Sequence, residues 1–266
     1  MIFNDHFQNF KRYQIPKAQL IMADIPYNLG NNAYASNPSW YKDGDNSNGE
    51  SELAGTSFFD TDENFKPAEF MHFGSQLMKK EPKERGDAPC MIVFCEFEQQ
   101  FYLIELARRY GINNYINLVF RKNFSSQVLK ANMKVVGNCE YALLLYRDKL
   151  PKFRNKGKMV FNCMDWEKDT DSEKIHPTQK PVALLKRLIN IFTDEGDVVI
   201  DPVCGSGSSI VAALECNRKG FGFEIKKDFY KSASQWVEET RQKQIDIREH
   251  GYAKTLLSKQ DNFLFA

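Results

Sequence analysis

Short apolar runs alternate along this chain with stretches of helical spacing. Residues 19–23 and 90–95 are short and mostly apolar, the pattern of strands buried on both faces. Residues 115–121, 141–146, 198–200 and 220–225 read as further strands. Residues 97–110, 181–192 and 208–217 carry helical spacing, and another helix begins at Phe229. In 181–192, Leu184, Leu185, Leu188, Ile189 and Phe192 share one side. Gly111 supplies a stop for the helix before it. Strands alternating with helices predict an α/β fold with a mostly parallel sheet and helices on both faces.

Two regions break the alternation. Residues 31–64 are rich in Asn, Ser, Gly and Asp, and connections of that length are usually functional or disordered. Residues 121–158 carry ten basic side chains, Arg121, Lys122, Lys130, Lys134, Arg147, Lys149, Lys152, Arg154, Lys156 and Lys158, against Glu140 and Asp148 alone. Two readings stand: a solvated lysine-rich face, or a phosphate-binding face. Phe120, Phe124, Tyr146 and Phe153, interleaved with the charges, favour the second. The stretch after about residue 242 is polar and charged, and its order is left open.

Composition adds little beyond limits. The 266 residues suffice for a sizeable core and are read as a single catalytic domain. The formal net charge of +1 says nothing about partners, so only the local distribution can. Six cysteines without C-x-x-C spacing predict free thiols in a reducing cytoplasm, and no metal site. The first residues lack the apolar core of a signal peptide, and no run approaches the ~20 apolar residues that span a bilayer.

Three segments carry candidate chemistry. The first, ADIPYNLG, ends the strand at 19–23 on Asp24, Ile25, Pro26 and Tyr27. In the second, the strand 198–200 runs into Asp201-Pro202-Val203-Cys204-Gly205-Ser206-Gly207-Ser208, and a helix follows. Its glycines allow close backbone approach to a ligand, and the helix start offers unpaired N–H groups. The loop lacks the lysine of a P-loop and the third glycine of a dinucleotide fingerprint. The next strand ends Gly222-Phe223-Glu224, an acid placed to grip ribose hydroxyls. This half is suited to an adenosine-bearing molecule that needs no phosphate site. The third, His176-Pro177-Thr178-Gln179-Lys180-Pro181, precedes a helix, and Lys180 beside the cofactor loop could neutralise a carboxylate.

In this order, these segments resemble the S-adenosylmethionine-dependent amino-methyltransferases of DNA, in their circularly ordered β group. The resemblance covers about Leu20 to Tyr230, including Arg218–Ile225, which is similar to the family's ribose strand. It implies S-adenosyl-L-methionine as cofactor, double-stranded DNA with a flipped base as partner, and a place in DNA modification or restriction–modification. A homodimer is an implied assembly, since dimers are common among resembling enzymes. The initial Asp leans toward N6 of adenine. N4 of cytosine, and a catalytically silent homologue that binds cofactor and DNA, are the alternatives.

An exocyclic amine is a poor nucleophile because its lone pair is delocalised into the ring. Two hydrogen-bond acceptors draw that pair back onto nitrogen, and the resemblance makes these the Asp24 side chain and the residue 25 carbonyl. Tyr27 would stack on the flipped base. Pro26 restricts Ile25 to extended conformations. The family usually has proline where this chain has Ile25, so proline there is expected to be tolerated. It usually has Phe at Val203 and Thr at Ser208. The cofactor contacts implied are Asp24, Asp201, Cys204, Gly205, Ser206, Gly207, Ser208 and Glu224, with Thr178 and Lys180 on the methionine carboxylate. DNA phosphates are assigned to Arg121, Lys122, Lys130, Lys134, Lys152, Arg154 and Lys156, and residues 31–64 are expected to order over the target base.

Overall fold

A computed structural model describes residues 1–27, 65–123, 127–130, 135–167 and 179–263, without the side chains of 127–130, 135–136 and 250–263. Its strands are β1 (Ile2–Phe3), β2 (Leu20–Asp24), β3 (Cys90–Cys95), β4 (Asn114–Lys122), β5 (Gln127–Lys130), β6 (Val135–Gly137), β7 (Cys139–Tyr146), β8 (Cys163–Trp166), β9 (Val198–Asp201) and β10 (Lys219–Phe223). The α-helices are α1 (Pro67–Leu77), α2 (Gln99–Arg109), α3 (Val182–Phe192), α4 (Ser208–Glu215) and α5 (Lys227–Phe263), preceded by a 3-10 turn at Phe7–Tyr13.

One sheet takes eight of these strands in the order β1-β10-β9-β2-β3-β7-β4-β8. Strand β7 runs antiparallel to both of its neighbours, β3 and β4. The other neighbouring pairs are parallel. The sheet is therefore mostly parallel, as the alternation predicts. Strands β5 and β6 form a separate antiparallel pair.

The continuous apolar runs follow from two-sided burial. On β2, Leu20 and Met22 join the core under α3, α4 and α5, with Leu185, Leu188, Val211 and Val237. Ile21 and Ala23 face the other core, with Phe70 of α1, Leu103 of α2 and Phe7 of the 3-10 turn. A strand with a core on each side has no polar face to alternate.

The boundaries differ at informative places. Strand β10 stops at Phe223, so Glu224 and Ile225 lie beyond the ladder. Helix α1 has no counterpart in the hydrophobic pattern. Its sequence PAEFMHFGSQL carries a mid-helix glycine, Gly74, whose added Cβ would sit 3.2 Å from Met91 Cε. That close approach lets α1 lie low over β3 at the expense of helix propensity. Helix α5 continues well past residue 242, through the polar stretch.

Candidate active site

The carboxyl ends of β2, β9 and β10 share one edge of the sheet. Strand order reverses between β9 and β2: from β9 the chain order runs outward to β10, and from β2 it runs the other way to β3. Crevices for ligands open at such reversals.

Asp24 ends β2 at this crevice. Its Oδ2 accepts from Lys180 Nζ at 2.5 Å. Its Oδ1 is shielded from solvent and has no hydrogen-bond partner among the described residues. Ile25 is buried, and its N–H donates to Phe94 O at 3.2 Å. The Pro26 carbonyl accepts from Gln99 Nε2 at 3.0 Å, while Gln99 Oε1 accepts from the Glu96 N–H, also at 3.0 Å. Gln99 thus clips the Asp24–Tyr27 segment to the start of α2.

Behind Asp24 lies a chain of alternating charge. Lys180, with its side chain 7% exposed, also donates to Glu140 Oε2 at 3.1 Å and to the Tyr27 hydroxyl at 3.4 Å. Tyr27 OH donates to the same Glu140 oxygen at 3.3 Å. Glu140 Oε1 is ion-paired to Lys122 Nζ. Aromatic rings enclose the cations. The Lys180 ammonium lies 5.4 Å from the Phe94 ring centre and 5.6 Å from those of Tyr27 and Trp166, and Lys122 lies 5.0 Å from Trp166.

The electrostatics follow this geometry. Burial pushes the Asp24 carboxyl up, and Lys180 offsets only part of that. Burial also opposes the Glu140 carboxylate, but Lys180 and Lys122 outweigh it and hold Glu140 below the usual range. For Lys180, burial disfavours the charge, yet Asp24 and Glu140 overcome it and raise the ammonium's pKa. Burial keeps the Tyr27 phenol well above its ordinary value.

The glycine loop between β9 and α4 forms the other wall. Asp201 stabilises the loop itself: its carboxylate accepts from Val203 N at 3.0 Å and from Ser209 Oγ at 2.5 Å. Burial lifts the Asp201 carboxyl to about 7. Glu224 accepts from Gly205 N at 3.0 Å and Lys226 N at 2.7 Å, tying the loop to the end of β10, and burial raises its carboxyl too. Cys204, Ser206 and Ser208 are buried. Gly207 caps α4 with φ 79°, a conformation that favours glycine. A Cβ on Gly222 would meet Cys204 Sγ at 2.8 Å, so only glycine lets the loop lie this close to β10.

Several expectations need correction. Lys180 does not stand free beside the glycine loop. Its three ammonium protons are directed at Asp24, Glu140 and Tyr27, so in this structure its ion pairs are to the protein's own carboxylates. Lys122 is buried against Glu140 and Trp166, which removes it from a phosphate-facing surface. Lys152 pairs with Asp194 and Asp197 at 2.7 Å, and Arg154 with Asp87 and Asp194 at 2.9 and 2.7 Å. These carboxylates, with Gln19 and Pro89 beside them, precede β9, β3 and β2. Lys152 and Arg154 therefore neutralise acids at the amino edge of the sheet, opposite Asp24. Lys156 is exposed two residues further along the same connection. Arg121 is exposed and paired with Asp165 at 2.7 Å. Ile25 donates a ladder hydrogen bond that proline cannot make. Thr178, Lys134 and residues 31–64 lie outside the described residues, as does the Lys130 side chain.

Glu140, Gln99 and Trp166 escaped sequence reasoning. One signal existed for Glu140: it is an isolated acid inside a basic segment. Gln99 and Trp166 carry none, because their relation to Asp24 exists only after the strands are ordered.

The chain matches the family described as DNA methylase over residues 18–235. It is similar to the DNA adenine methyltransferase YhdJ of Escherichia coli strain K12, 29% identical over 163 residues that cover 60% of this chain and 48% of that protein. The chain spans about half the length of the first curated relatives it matches. Among solved structures it is similar to the M1.HpyAVI–SAM complex, with TM-score 0.64, 20% identity, and coverage of 89% of this chain and 98% of that one. It is also similar to the cytosine-N4-specific PvuII DNA methyltransferase, with TM-score 0.59, 12% identity and 92% of each chain covered. At these identities the structural likeness is one of fold.

Proposed function

The chain belongs to the DNA methylase family, and on that premise we propose that it transfers a methyl group from S-adenosyl-L-methionine to the N6 amine of adenine in DNA. The observation that carries this reading is Asp24 Oδ1 at the crevice, which has no hydrogen-bond partner among the described residues. A buried acceptor without a donor costs roughly 1–3 kcal/mol, so it marks where a donor belongs. An amine N–H is such a donor.

The donor set suits the cofactor. The glycine loop and the Glu224 carboxylate at the end of β10 offer a close backbone approach and an acceptor for ribose hydroxyls. When bound, the cofactor supplies a methyl activated on a positively charged sulfur. Asp24 Oδ1 accepts one amine hydrogen and the Ile25 carbonyl the other, which restores the nitrogen lone pair and aims it. Lys180 keeps Oδ2 occupied, so the carboxylate presents Oδ1. Tyr27 stacks on the base. Asp24 orients and does not need to act as a strong base, since the proton leaves nitrogen after transfer. Rate enhancement comes mainly from alignment.

Single-molecule sequencing of DNA from a methylation-free host expressing the chain reads base and site together. N6-methyladenine at a defined site is expected, and N4-methylcytosine would select the alternative illustrated by the PvuII enzyme. Asp24→Ala should lower transfer by about 100-fold while cofactor binding is largely retained. A variant keeping more than about a tenth of the wild-type rate would remove Asp24 from this role.

A further inference from the structure

The wall behind Asp24 holds more charge than the orientation of one amine requires. Lys180 alone would ion-pair Asp24. Yet the series Asp24–Lys180–Glu140–Lys122 alternates in sign across β2, the approach to α3, β7 and β4. Its two carboxylates and two ammonium groups sum to zero, and Phe94, Tyr27 and Trp166 line it. Removing one member of such a set strands an opposite charge.

Glu140 sits on β7, two strands from β2, with β3 between them. Its links to the catalytic segment are the Lys180 ammonium at 3.1 Å and the Tyr27 hydroxyl at 3.3 Å, of which Lys180 alone is ion-paired to Asp24. The Lys180 side chain approaches from a long connection and could pair with Asp24 in several ways. Glu140 and the Tyr27 hydroxyl narrow these to one. Lys122 in turn holds the far oxygen of Glu140, leaving Oε2 toward Lys180.

We infer that Glu140, braced by Lys122, is a positioning residue for methyl transfer: it fixes the Lys180 ammonium so that Asp24 keeps Oδ2 pinned and Oδ1 presented to the target amine. This rests on the proposed role of Asp24. Among the described residues, the titratable groups facing Asp24 are Lys180, Glu140 and the Tyr27 hydroxyl, with the Cys95 thiol and Asp201 at longer range.

The test is the pH profile of single-turnover methyl transfer, whose acid limb reports ionisation of Asp24. E140Q removes a like charge and leaves Asp24 as the only carboxylate paired with Lys180 among the described residues, with at most a neutral amide oxygen in place of Glu140. Its limb should move to lower pH, while the plateau rate falls about tenfold because a neutral amide holds the ammonium less firmly. K180M removes the cation, and its limb should move to higher pH. K122M should also move it upward, since a positive charge is lost and Glu140 draws harder on Lys180. Cofactor affinity should not change in E140Q or K122M. A purely structural salt bridge predicts a lower melting temperature and a limb that moves with the lost charge, but an unchanged plateau rate per folded molecule. An E140Q protein with the wild-type plateau overturns the inference. If E140Q fails to fold, an unmoved limb in K122M does the same. Carbon NMR of the Asp24 carboxyl, assigned with D24N, follows the same titration without substrate. Absence of methyl transfer by the wild type would defeat the reading of function. An Asp24 titration indifferent to E140Q and K122M would defeat the positioning role alone.

Discussion

Replacing Ile25 by proline tests whether the backbone of the Asp24–Tyr27 segment belongs to the sheet. The Ile25 N–H donates to Phe94 O at 3.2 Å, and proline deletes that donor. Losing the bond costs about 1 kcal/mol, and leaving the Phe94 carbonyl unpaired in a buried setting adds about 1 more. The buried Ile25 side chain also gives up about one methylene, worth about 1 kcal/mol in a packed core. Proline restricts the unfolded chain, which returns about 0.5–1 kcal/mol. The net is a destabilisation of about 2–2.5 kcal/mol. In a chain of this size that lowers the melting temperature by roughly 4–10 °C. Urea and thermal denaturation of Ile25→Pro, beside Ile25→Val as a packing control at about 1 kcal/mol, provide the assay. Methyl transfer per folded molecule should survive, because the carbonyl is kept. A proline variant as stable as wild type would refute the reasoning.

Two further outcomes follow from the ion pairs and the buried acid. Lys152→Ala should cost about 2 kcal/mol, the loss of charged hydrogen bonds to Asp194 and Asp197, and leave the salt dependence of DNA binding unchanged; a reduced slope would return Lys152 to the DNA face. Asp201→Asn should flatten part of the pH dependence of stability: the folded carboxyl titrates at about 7 against an ordinary 3.8, so between about pH 4 and 7 the native state holds a proton that the unfolded state has lost. Stability from this group therefore falls as pH rises through that window and is level above it. The urea midpoint difference between Asp201→Asn and wild type should accordingly favour the variant more at pH 8 than at pH 5, and a difference independent of pH would contradict the buried, raised carboxyl.

Much of the fold was legible because two-sided burial writes itself as continuous apolar runs, as in β2 and β3. Helix α1 was not, because Gly74 trades helix propensity for close contact with Met91. The ends of β2 and β9 could be placed from Asp24 and Asp201, since each acid interrupts an apolar run, whereas the apolar reading carried β10 past Glu224 to residue 225. The partners of those acids could not. Lys152 and Lys122 look alike in a list of basic residues. One lies at the amino edge of the sheet against Asp197, and the other beneath Trp166 against Glu140. Local composition reports charge, but only strand order decides which edge the charge reaches. The partners of Lys180 are equally hidden in the sequence, because its ammonium reaches Asp24 at the end of β2 and Glu140 on β7, residues distant in the chain.

The parallel pairing of β2 with β9, Leu20 opposite Val199, joins stretches synthesised far apart in time. A nascent chain carries Asp24 early, but it has no glycine loop to set against it until β9 and β10 have emerged. Partial translation products would therefore offer an acceptor with no pocket beside it. The crevice comes into being only when the late strands add to the early one, so competence for methylation should appear abruptly with chain length.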